Sequence, residues 1–150
     1  MPAARAKRKP LTYIAGPLFN AAERAQAEGV DGICRRAGFD TFLPHRDGGL
    51  SGVRGRTPTA VFRADVAALR RADAVVAILN GPSVDPGTAW EIGYGFARGV
   101  PLIGYLDDLR ARPGAEPVDL MVSKSCHLVR SSAELRHVLR ALRAVWTEPR

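Results

Sequence analysis

Residues 73–79 read DAVVAIL, and every residue after Asp73 in this run is apolar. A strand with one solvated face alternates apolar and polar residues, whereas a strand covered on both faces is apolar throughout. The run therefore predicts a central strand of a parallel sheet. VPLIGYL at 100–106 has the same character and predicts a second buried strand. Three further short strands are predicted for LTYIAG (11–16), FDTFLP (39–44) and CHLV (126–129).

Segments with helical signals separate these strands. Asn20 and Glu23 fit a capping box for a helix over residues 20–37, and Gly38 follows as its stop. The buried stripe of this helix is predicted to comprise Ala22, Ala25, Val30, Ile33 and Ala37. Further helices are predicted from Pro58 to about Arg71, from Thr88 to about Arg98, and after a second capping box at Ser131 and Glu134.

The alternation of strands and helices predicts an α/β fold. We expect a single doubly wound domain with a mostly parallel five-stranded sheet flanked by helices, of the flavodoxin or Rossmann type. The domain is predicted to span residues 11–146, after a basic disordered tail at residues 1–10. In such sheets, ligands bind beyond the carboxyl ends of the strands, where the topology switches. Three polar loops leave strand ends there: GPLFN, PHRDGG and NGPSVDPGT.

The composition narrows the class of function. The 150 residues carry a net charge of +7, but the arginines beyond the first ten residues are dispersed and no nucleic-acid-binding motif is present. No nucleic-acid partner is therefore predicted. The two cysteines and three histidines lack metal-ligand spacing, and neither a metal nor a cofactor is expected. No apolar run is long enough to span a membrane and the N-terminus is a poor signal peptide, which predicts a cytoplasmic protein.

The segment SVDPGTAWEIGY (83–94) contains two acids of particular interest. Glu91 follows Thr88 by three residues, as in a capping box, and it is either a structural cap or a catalytic carboxylate. Both roles are compatible, because a helix N-terminus stabilises an ionised carboxylate. Asp85 either supports the Pro86-Gly87 turn or faces the same cleft as Glu91, since paired carboxylates are the usual equipment for cleaving glycosidic bonds.

Two more residues each allow a structural and a chemical interpretation. Asp65 lies inside a predicted helix, where aspartate is a mild misfit. It either pairs with neighbouring arginines in solvent or points into the pocket as a proton donor. Tyr13 lies near the end of the first predicted strand, and it is either a core aromatic or a phenol that hydrogen-bonds a carboxylate.

Three motifs of this chain resemble, in order, segments of the nucleoside 2-deoxyribosyltransferase family: YIAGPLFN (13–20), DPGTAWEIGYGFARGVPLIGY (85–105) and PVDLMV (117–122). The resemblance covers residues 11–122 and implies roles for individual positions. Glu91 would attack C1′ of a 2′-deoxynucleoside, and Tyr13 would hold Glu91 in place. Asp65 would contact the base and protonate it as it leaves.

The resemblance also implies the substrate-binding positions. Asp85 would bind the 5′-hydroxyl of the sugar, Phe19 would line the base pocket, and Gly16 and Gly87 would also bind the substrate. Asp119 and Met121 would complete the site of a neighbouring subunit, so that the active unit is a homo-oligomer. Asp119 stands where the family typically has Asn, and PHRDGG is similar to the loop of the purine-type branch. The second feature favours purine bases.

The function implied by the resemblance is transfer of 2-deoxyribose between nucleobases through a covalent deoxyribosyl-Glu91 intermediate, with nucleosides and free nucleobases as partners. Hydrolysis of (deoxy)nucleosides or of their 5′-monophosphates is the alternative activity. The carboxylates of Asp85 and Asp119 oppose a phosphate, whereas the arginines of residues 53–56 would attract one. DPGTAWE also weakly echoes a motif of nucleotide phosphoribohydrolases. A nucleoside-binding module without catalysis is the third alternative.

Overall fold

The computed structural model describes residues 8–50, 52–109, 113–114 and 118–147. Its centre is a sheet of five parallel strands in the order β2-β1-β3-β4-β5. The strands are β1 (Leu11–Ala15), β2 (Asp40–Phe42), β3 (Ala74–Ile78), β4 (Leu102–Tyr105) and β5 (His127–Val129). The predicted α/β fold is confirmed, and the sheet is parallel throughout.

Helices cover both faces of this sheet. The described part of the chain contains α1 (Ala21–Arg36), α2 (Pro58–Arg71), α3 (Pro86–Ala97), α4 (Leu120–Ser125) and α5 (Ser132–Thr147). One apolar core contains residues of α1 and α5, and the other contains residues of α2, α3 and α4. Val76 of β3 belongs to the first core and Val75 to the second. Because both faces are covered, all five residues of β3 are buried, which accounts for the uninterrupted apolar run.

The strand order determines where a ligand cleft can lie. From β1 the chain passes to β2 on one side and then returns to β3 on the other side of β1. The connections therefore diverge between the carboxyl ends of β1 and β3, where Ala15 pairs with Ala77. A doubly wound sheet has its ligand cleft at such a switch point.

Local signals in the sequence account for the helix starts. The Asn20 side chain accepts a hydrogen bond from the Glu23 N–H at 2.9 Å, and the Glu23 carboxylate accepts one from the Asn20 N–H, so α1 begins with the predicted capping box. Thr57 caps α2 directly before Pro58. The Ser131 hydroxyl accepts a backbone N–H at the start of α5. These three predicted starts are confirmed.

Some details of the predicted elements are wrong. Ala22 and Ala25 of α1 are exposed, and the buried positions of this helix are Ala27, Val30, Asp31, Ile33 and Cys34. An alanine fits either face of a helix, and its methyl group therefore gives little directional signal. The segment predicted as a loop after β2 begins with a single π-helical turn, Pro44–Gly48. Helix α4 was not predicted, because six residues are too few to show a helical period.

Residues 8–10 of the predicted tail pack on the domain. Pro10 is buried, and its carbonyl accepts a hydrogen bond from the Asp40 N–H at 2.9 Å. The Arg8 guanidinium pairs with the Asp73 carboxylate at 2.7 Å, and that carboxylate also accepts the Leu11 N–H. Residues 1–7 of the predicted tail lie outside the described residues. Across the described part of the chain, no helix combines the length and the apolar character needed to cross a membrane.

Candidate active site

Glu91 and Tyr13 meet near the switch point of the sheet. Glu91 lies on α3 and Tyr13 on β1, and the Tyr13 hydroxyl donates a hydrogen bond to Glu91 Oε1 at 2.6 Å. The Tyr13 residue is 0% exposed. Phe42 of β2 stacks on the Tyr13 ring with centroids 5.5 Å apart and an interplanar angle of 13°. The phenol is thus held by the sheet, and it in turn orients the carboxylate of Glu91.

Burial dominates the electrostatics of this pair. It raises the pKa of Glu91 to about 8, the hydrogen bond from Tyr13 opposes this shift, and the negative charges of Asp65 and Asp85 add to it. The pKa of Tyr13 is also raised, first by burial and then by the charges of Glu91 and Asp65, so the phenol remains a hydrogen-bond donor. Burial therefore opposes the ionisation expected from a helix N-terminus, and Glu91 is the sixth residue of α3 rather than one at its start.

Asp85 caps α3, and Glu91 does not. Asp85 Oδ2 accepts hydrogen bonds from the Thr88 N–H at 2.9 Å and from the Thr88 hydroxyl at 3.2 Å, and Pro86 occupies the first helical position. An Asp before a Pro is a strong start signal, and it moves the helix start two residues ahead of the predicted one. The predicted capping box between Thr88 and Glu91 is therefore wrong. The Glu91 carboxylate meets Tyr13 instead.

Asp65 is a second carboxylate close to this pair. It lies on α2, where burial raises its pKa to about 6, and its charge acts on both Tyr13 and Glu91. Its Oδ1 atom is buried and has no hydrogen-bond partner among the described residues. The Pro44–Gly48 turn lies against this atom, since a Cβ on Gly48 would come within 2.5 Å of Oδ1. These observations favour the interpretation that Asp65 points into the cleft.

Three other residues of the predicted site lie where strands end or helices begin at the same edge of the sheet. Gly16 follows β1 and lies against Ile78 of β3, where an added Cβ would approach the Ile78 Cβ to 3.2 Å. Gly87 is the second residue of α3 and lies beside the Asp85 carboxylate. Phe19 lies three residues after Gly16 in the same loop and is 79% exposed. All three therefore lie at the edge of the sheet that carries the acids.

Asp119 and Met121 stand apart from this group. Asp119 caps α4 by accepting the Met121 N–H at 2.8 Å, and Met121 is 74% exposed. Among the described residues, neither makes a recorded hydrogen bond or ion pair with Glu91, Tyr13 or Asp65. Their role in the site of a neighbouring subunit stays a prediction.

Sequence reasoning missed three residues that shape the cleft. Phe42 stacks on Tyr13, Thr88 donates two hydrogen bonds to Asp85, and Gly48 leaves room for Asp65. The first depends on the pairing of Tyr13 with Phe42 between strands, which a single sequence does not reveal. The Asp-Pro-Gly-Thr motif could have indicated the second, and the glycine-rich PHRDGG loop could have drawn attention to the third.

The arrangement is suited to covalent catalysis at an electrophilic carbon. A buried carboxylate held by a phenol can form an ester, and a nearby carboxyl with a pKa of about 6 can give a proton to a leaving group. The described His, Cys, Asp and Glu residues include no group of three that could hold a metal ion.

Comparison with known proteins identifies the family of the chain. Residues 12–129 match the family model described as nucleoside 2-deoxyribosyltransferase. An uncharacterized protein of Schizosaccharomyces pombe (strain 972) is 34% identical over 125 residues, which cover 75% of this chain and 57% of that protein. The chain therefore spans little more than half the length of this curated relative.

Solved structures share the fold. A conserved protein from Enterococcus faecalis V583 aligns with a TM-score of 0.77 at 22% identity, over 90% of this chain and 99% of that chain. The 2-deoxyribosyltransferase of Bacillus psychrosaccharolyticus aligns with a TM-score of 0.70 at 24% identity, over 86% and 95% of the two chains. These similarities concern the fold alone. The family model, in contrast, matches the sequence itself over residues 12–129. The chain belongs to the nucleoside 2-deoxyribosyltransferase family.

Proposed function

We propose that this protein transfers 2-deoxyribose between nucleobases and that Glu91 is the nucleophile that carries the sugar. The observation that carries the proposal is the 2.6 Å hydrogen bond from Tyr13 to the buried Glu91 carboxylate, in a chain of this family. The B. psychrosaccharolyticus protein with the same fold is itself named a 2-deoxyribosyltransferase.

In the first half-reaction, a Glu91 oxygen attacks C1′ of the donor nucleoside. The C1′–N bond breaks, its electron pair stays on the base, and Asp65 supplies a proton to the departing nitrogen. Burial assists this step, because it penalises the charged carboxylate, whose pKa it raises to about 8, but not the neutral ester that forms. Tyr13 keeps the attacking carboxylate aimed.

Two features of Asp65 suit it to the proton transfer. Its pKa of about 6 lies near neutrality, where a general acid is most effective. Its buried Oδ1 atom lacks a partner among the described residues, and leaving a buried acceptor unpaired is unfavourable. A neutral carboxyl tolerates this burial better than a carboxylate does, which favours the protonated form of Asp65 that can donate.

In the second half-reaction, the nitrogen of an acceptor base attacks C1′ on the face that the first base left. The C1′–O bond to Glu91 breaks, the carboxylate is released, and Asp65 recovers the proton. Two displacements give net retention at C1′. Attack by water in place of a base would give free deoxyribose, which is the hydrolase alternative.

The proposal assigns the sugar and the base to different residues. Asp85 uses Oδ2 for its cap, and Oδ1 makes no hydrogen bond recorded among the described residues, so we assign Oδ1 to the 5′-hydroxyl. We assign Phe19 to the base, which we expect to be a purine because of the PHRDGG loop. Asp119 and Met121 are assigned to a neighbouring subunit's site in a homo-oligomer. The cytoplasmic location stays a prediction.

The first test is base exchange. The protein is incubated with deoxyinosine and excess adenine, and the products are separated by chromatography. Deoxyadenosine with hypoxanthine is the expected result. Hypoxanthine with free deoxyribose would identify a hydrolase, and no base release from purine or pyrimidine donors would contradict both activities.

The second test concerns the covalent intermediate. Glu91→Ala should abolish base release while the circular dichroism spectrum stays unchanged, and Asp40→Ala, which removes an exposed carboxylate from β2, is the matched control. With donor alone, mass spectrometry of the wild type should detect a deoxyribosyl adduct on the peptide that contains Glu91. Substantial turnover by Glu91→Ala would contradict the assignment of the nucleophile.

A further inference from the structure

The contact between Gly48 and Asp65 stands out among the glycines that follow the strands. A Cβ on Gly48 would come within 2.5 Å of Asp65 Oδ1 and within 3.3 Å of Phe42 Cζ. The φ of Gly48 is not among the positive values, so its backbone conformation suits other residues too. Glycine is needed here because of the contact, and any larger residue would displace the carboxylate or the turn.

Contacts of Arg46 with Asp47 and Asp31, called here the Arg46 clamp, hold the Pro44–Gly48 turn in place. The Arg46 guanidinium donates hydrogen bonds to both oxygens of Asp47 at 2.8 and 2.6 Å, and to Asp31 Oδ2 of α1 at 3.1 Å. Asp47 Oδ2 also accepts the Leu43 N–H at 2.8 Å. Burial disfavours the charge of Asp47, but the hydrogen bonds from Arg46 and Leu43 outweigh it and hold the pKa of Asp47 below its ordinary value. The turn is therefore tied to α1 at one end and rests on α2 at the other.

We infer that Gly48 is a positioning residue for Asp65: the turn that Arg46 clamps to α1 covers the Asp65 carboxyl and keeps water from its Oδ1 atom. This inference rests on the proposed function for its catalytic meaning, and it gives Asp65 the dry surroundings that a proton donor needs. Among the described residues, the charge of Asp65 acts on the titratable groups Tyr13 and Glu91. The charged side chain of Arg56 lies against Gly49, the residue after Gly48.

The variant that tests the inference is Gly48→Ala. The added methyl group forces either the carboxyl or the turn to move, and both movements admit water to Asp65. Gly29→Ala is the matched control, since it lies on α1 with nothing within 4 Å of the added Cβ. It is expected to behave as the wild type.

The first readout does not depend on activity. The pKa of the Asp65 carboxyl is measured by carbon-13 NMR titration of aspartate-labelled protein, with the resonance assigned through Asp65→Asn. We expect a value near 6 in the wild type and in Gly29→Ala, and a fall by about one unit or more in Gly48→Ala, towards the ordinary 3.8. A value that stays near 6 or rises in Gly48→Ala overturns the inference.

The second readout separates proton donation from general damage to the site. Deoxyguanosine needs a proton on its leaving base, whereas N7-methyl-deoxyguanosine already carries the positive charge and leaves without one. Gly48→Ala should slow enzymatic base release from deoxyguanosine at least about tenfold and slow release from the methylated donor much less. Equal slowing of both donors overturns the inference. A wild type without activity contradicts the proposed function, and the titration still decides on Gly48.

A second variant keeps the test decisive if Gly48→Ala does not fold. Arg46→Gln loosens the clamp without adding an atom next to Asp65, and Asp31 keeps its ion pair with Arg35 at 3.0 Å. The pKa of Asp65 should fall in the same direction, by a smaller amount. An unchanged pKa in a folded Arg46→Gln protein overturns the role of the clamp.

Discussion

The Tyr13 hydroxyl and Glu91 Oε1 lie 2.6 Å apart, although the two residues are 78 positions apart in the chain. Burial and the charges of Asp65 and Asp85 raise the pKa of Glu91, and the hydrogen bond from Tyr13 lowers it. Tyr13 is therefore the residue through which the sheet controls how much of Glu91 is ionised. The same bond fixes the direction of the carboxylate.

Replacement of Tyr13 by Phe should separate this control from packing. The ring and its stack on Phe42 stay, but Glu91 loses its donor, so the pKa of Glu91 should rise above about 8. A hydrogen bond to a charged group contributes about 1.5–3 kcal/mol, so base exchange at pH 7 should fall roughly 10- to 100-fold. The measurement is kcat/KM against pH, with thermal unfolding to check the fold. An unshifted pH profile would contradict the role of Tyr13.

The proposed mechanism predicts a bell-shaped dependence of kcat/KM on pH. The reactive form has Glu91 ionised and Asp65 protonated, which is the less populated of the two singly protonated forms because Asp65 has the lower pKa. Both singly protonated forms rise and fall together with pH, so the limbs should still fall near the pKa values of about 6 and about 8. Below pH 6 both groups are protonated and the nucleophile is lost. Above pH 8 both are ionised and the acid is lost. The maximum should therefore lie near pH 7.

Asp65→Asn provides the control for this profile. With a donor whose base leaves without a proton, the variant should show one rise with pH and no alkaline limb, because only Glu91 still titrates. The midpoint should lie below that of the wild-type Glu91, since the charge of Asp65 raises the pKa of Glu91. A bell that persists unchanged would exclude Asp65 as the acid.

The buried carboxylate of Glu91 should cost stability at alkaline pH. Its pKa is raised from 4.5 to about 8 on folding, so the folded state binds the proton more tightly. The resulting stabilisation is complete below about pH 4.5 and is lost as the pH rises towards 8. Glu91→Gln keeps an oxygen for the Tyr13 hydroxyl and removes the charge. It should therefore raise Tm by several degrees at pH 9 and change it little at pH 4.5.

Thermal unfolding of both proteins across this pH range measures the effect. Asp40→Asn, which removes an exposed charge from β2, controls for the change in net charge. A Glu91→Gln protein that is no more stable than the wild type at pH 9 would show that the carboxylate is hydrated in solution. Glu91→Gln also removes the proposed nucleophile. Higher stability together with lost activity would therefore show that the buried charge of Glu91 serves function at a cost in stability.

Complementation can test whether a neighbouring subunit completes the site. Met121→Arg changes an exposed residue and should leave the monomer folded, but it should disrupt the neighbouring subunit's site that Met121 is proposed to complete. Glu91→Ala spoils the other half. Mixing the two inactive variants, after dissociation and reassembly, should restore about a quarter of the wild-type activity if each site draws on two chains. No recovery in mixed oligomers, detected by distinct affinity tags, would confine the site to one chain.

The fold was largely predictable because the apolar runs carry two kinds of information. Their uninterrupted character indicates strands covered on both faces, and the intervening caps and glycines mark helices long enough to connect parallel strands. Element ends were less predictable, as with α3, where the Asp85 cap precedes the predicted start.

The acids of the cleft were named from the sequence, but their environment was not. The pKa of Glu91 depends on how deeply α3 packs, and it moves in the direction opposite to the one expected from a helix dipole. The contact of Gly48 with Asp65 depends on a turn and a helix that meet only in three dimensions. The pKa of Glu91 and the contact of Gly48 with Asp65 both depend on tertiary packing, which cannot be inferred from composition or residue spacing.

The central position of β1 also has a consequence for the order in which the protein folds during and after its synthesis. Strand β1 is made early, yet it pairs with β3, and Tyr13 meets its acceptor only after α3 has emerged. Sheets built from such distant segments fold slowly, since the chain must close large loops before the pairing stabilises them. The contact between Tyr13 and Glu91 therefore forms late in folding. In a refolding experiment, base release should recover together with the native sheet and lag behind the early return of helix content.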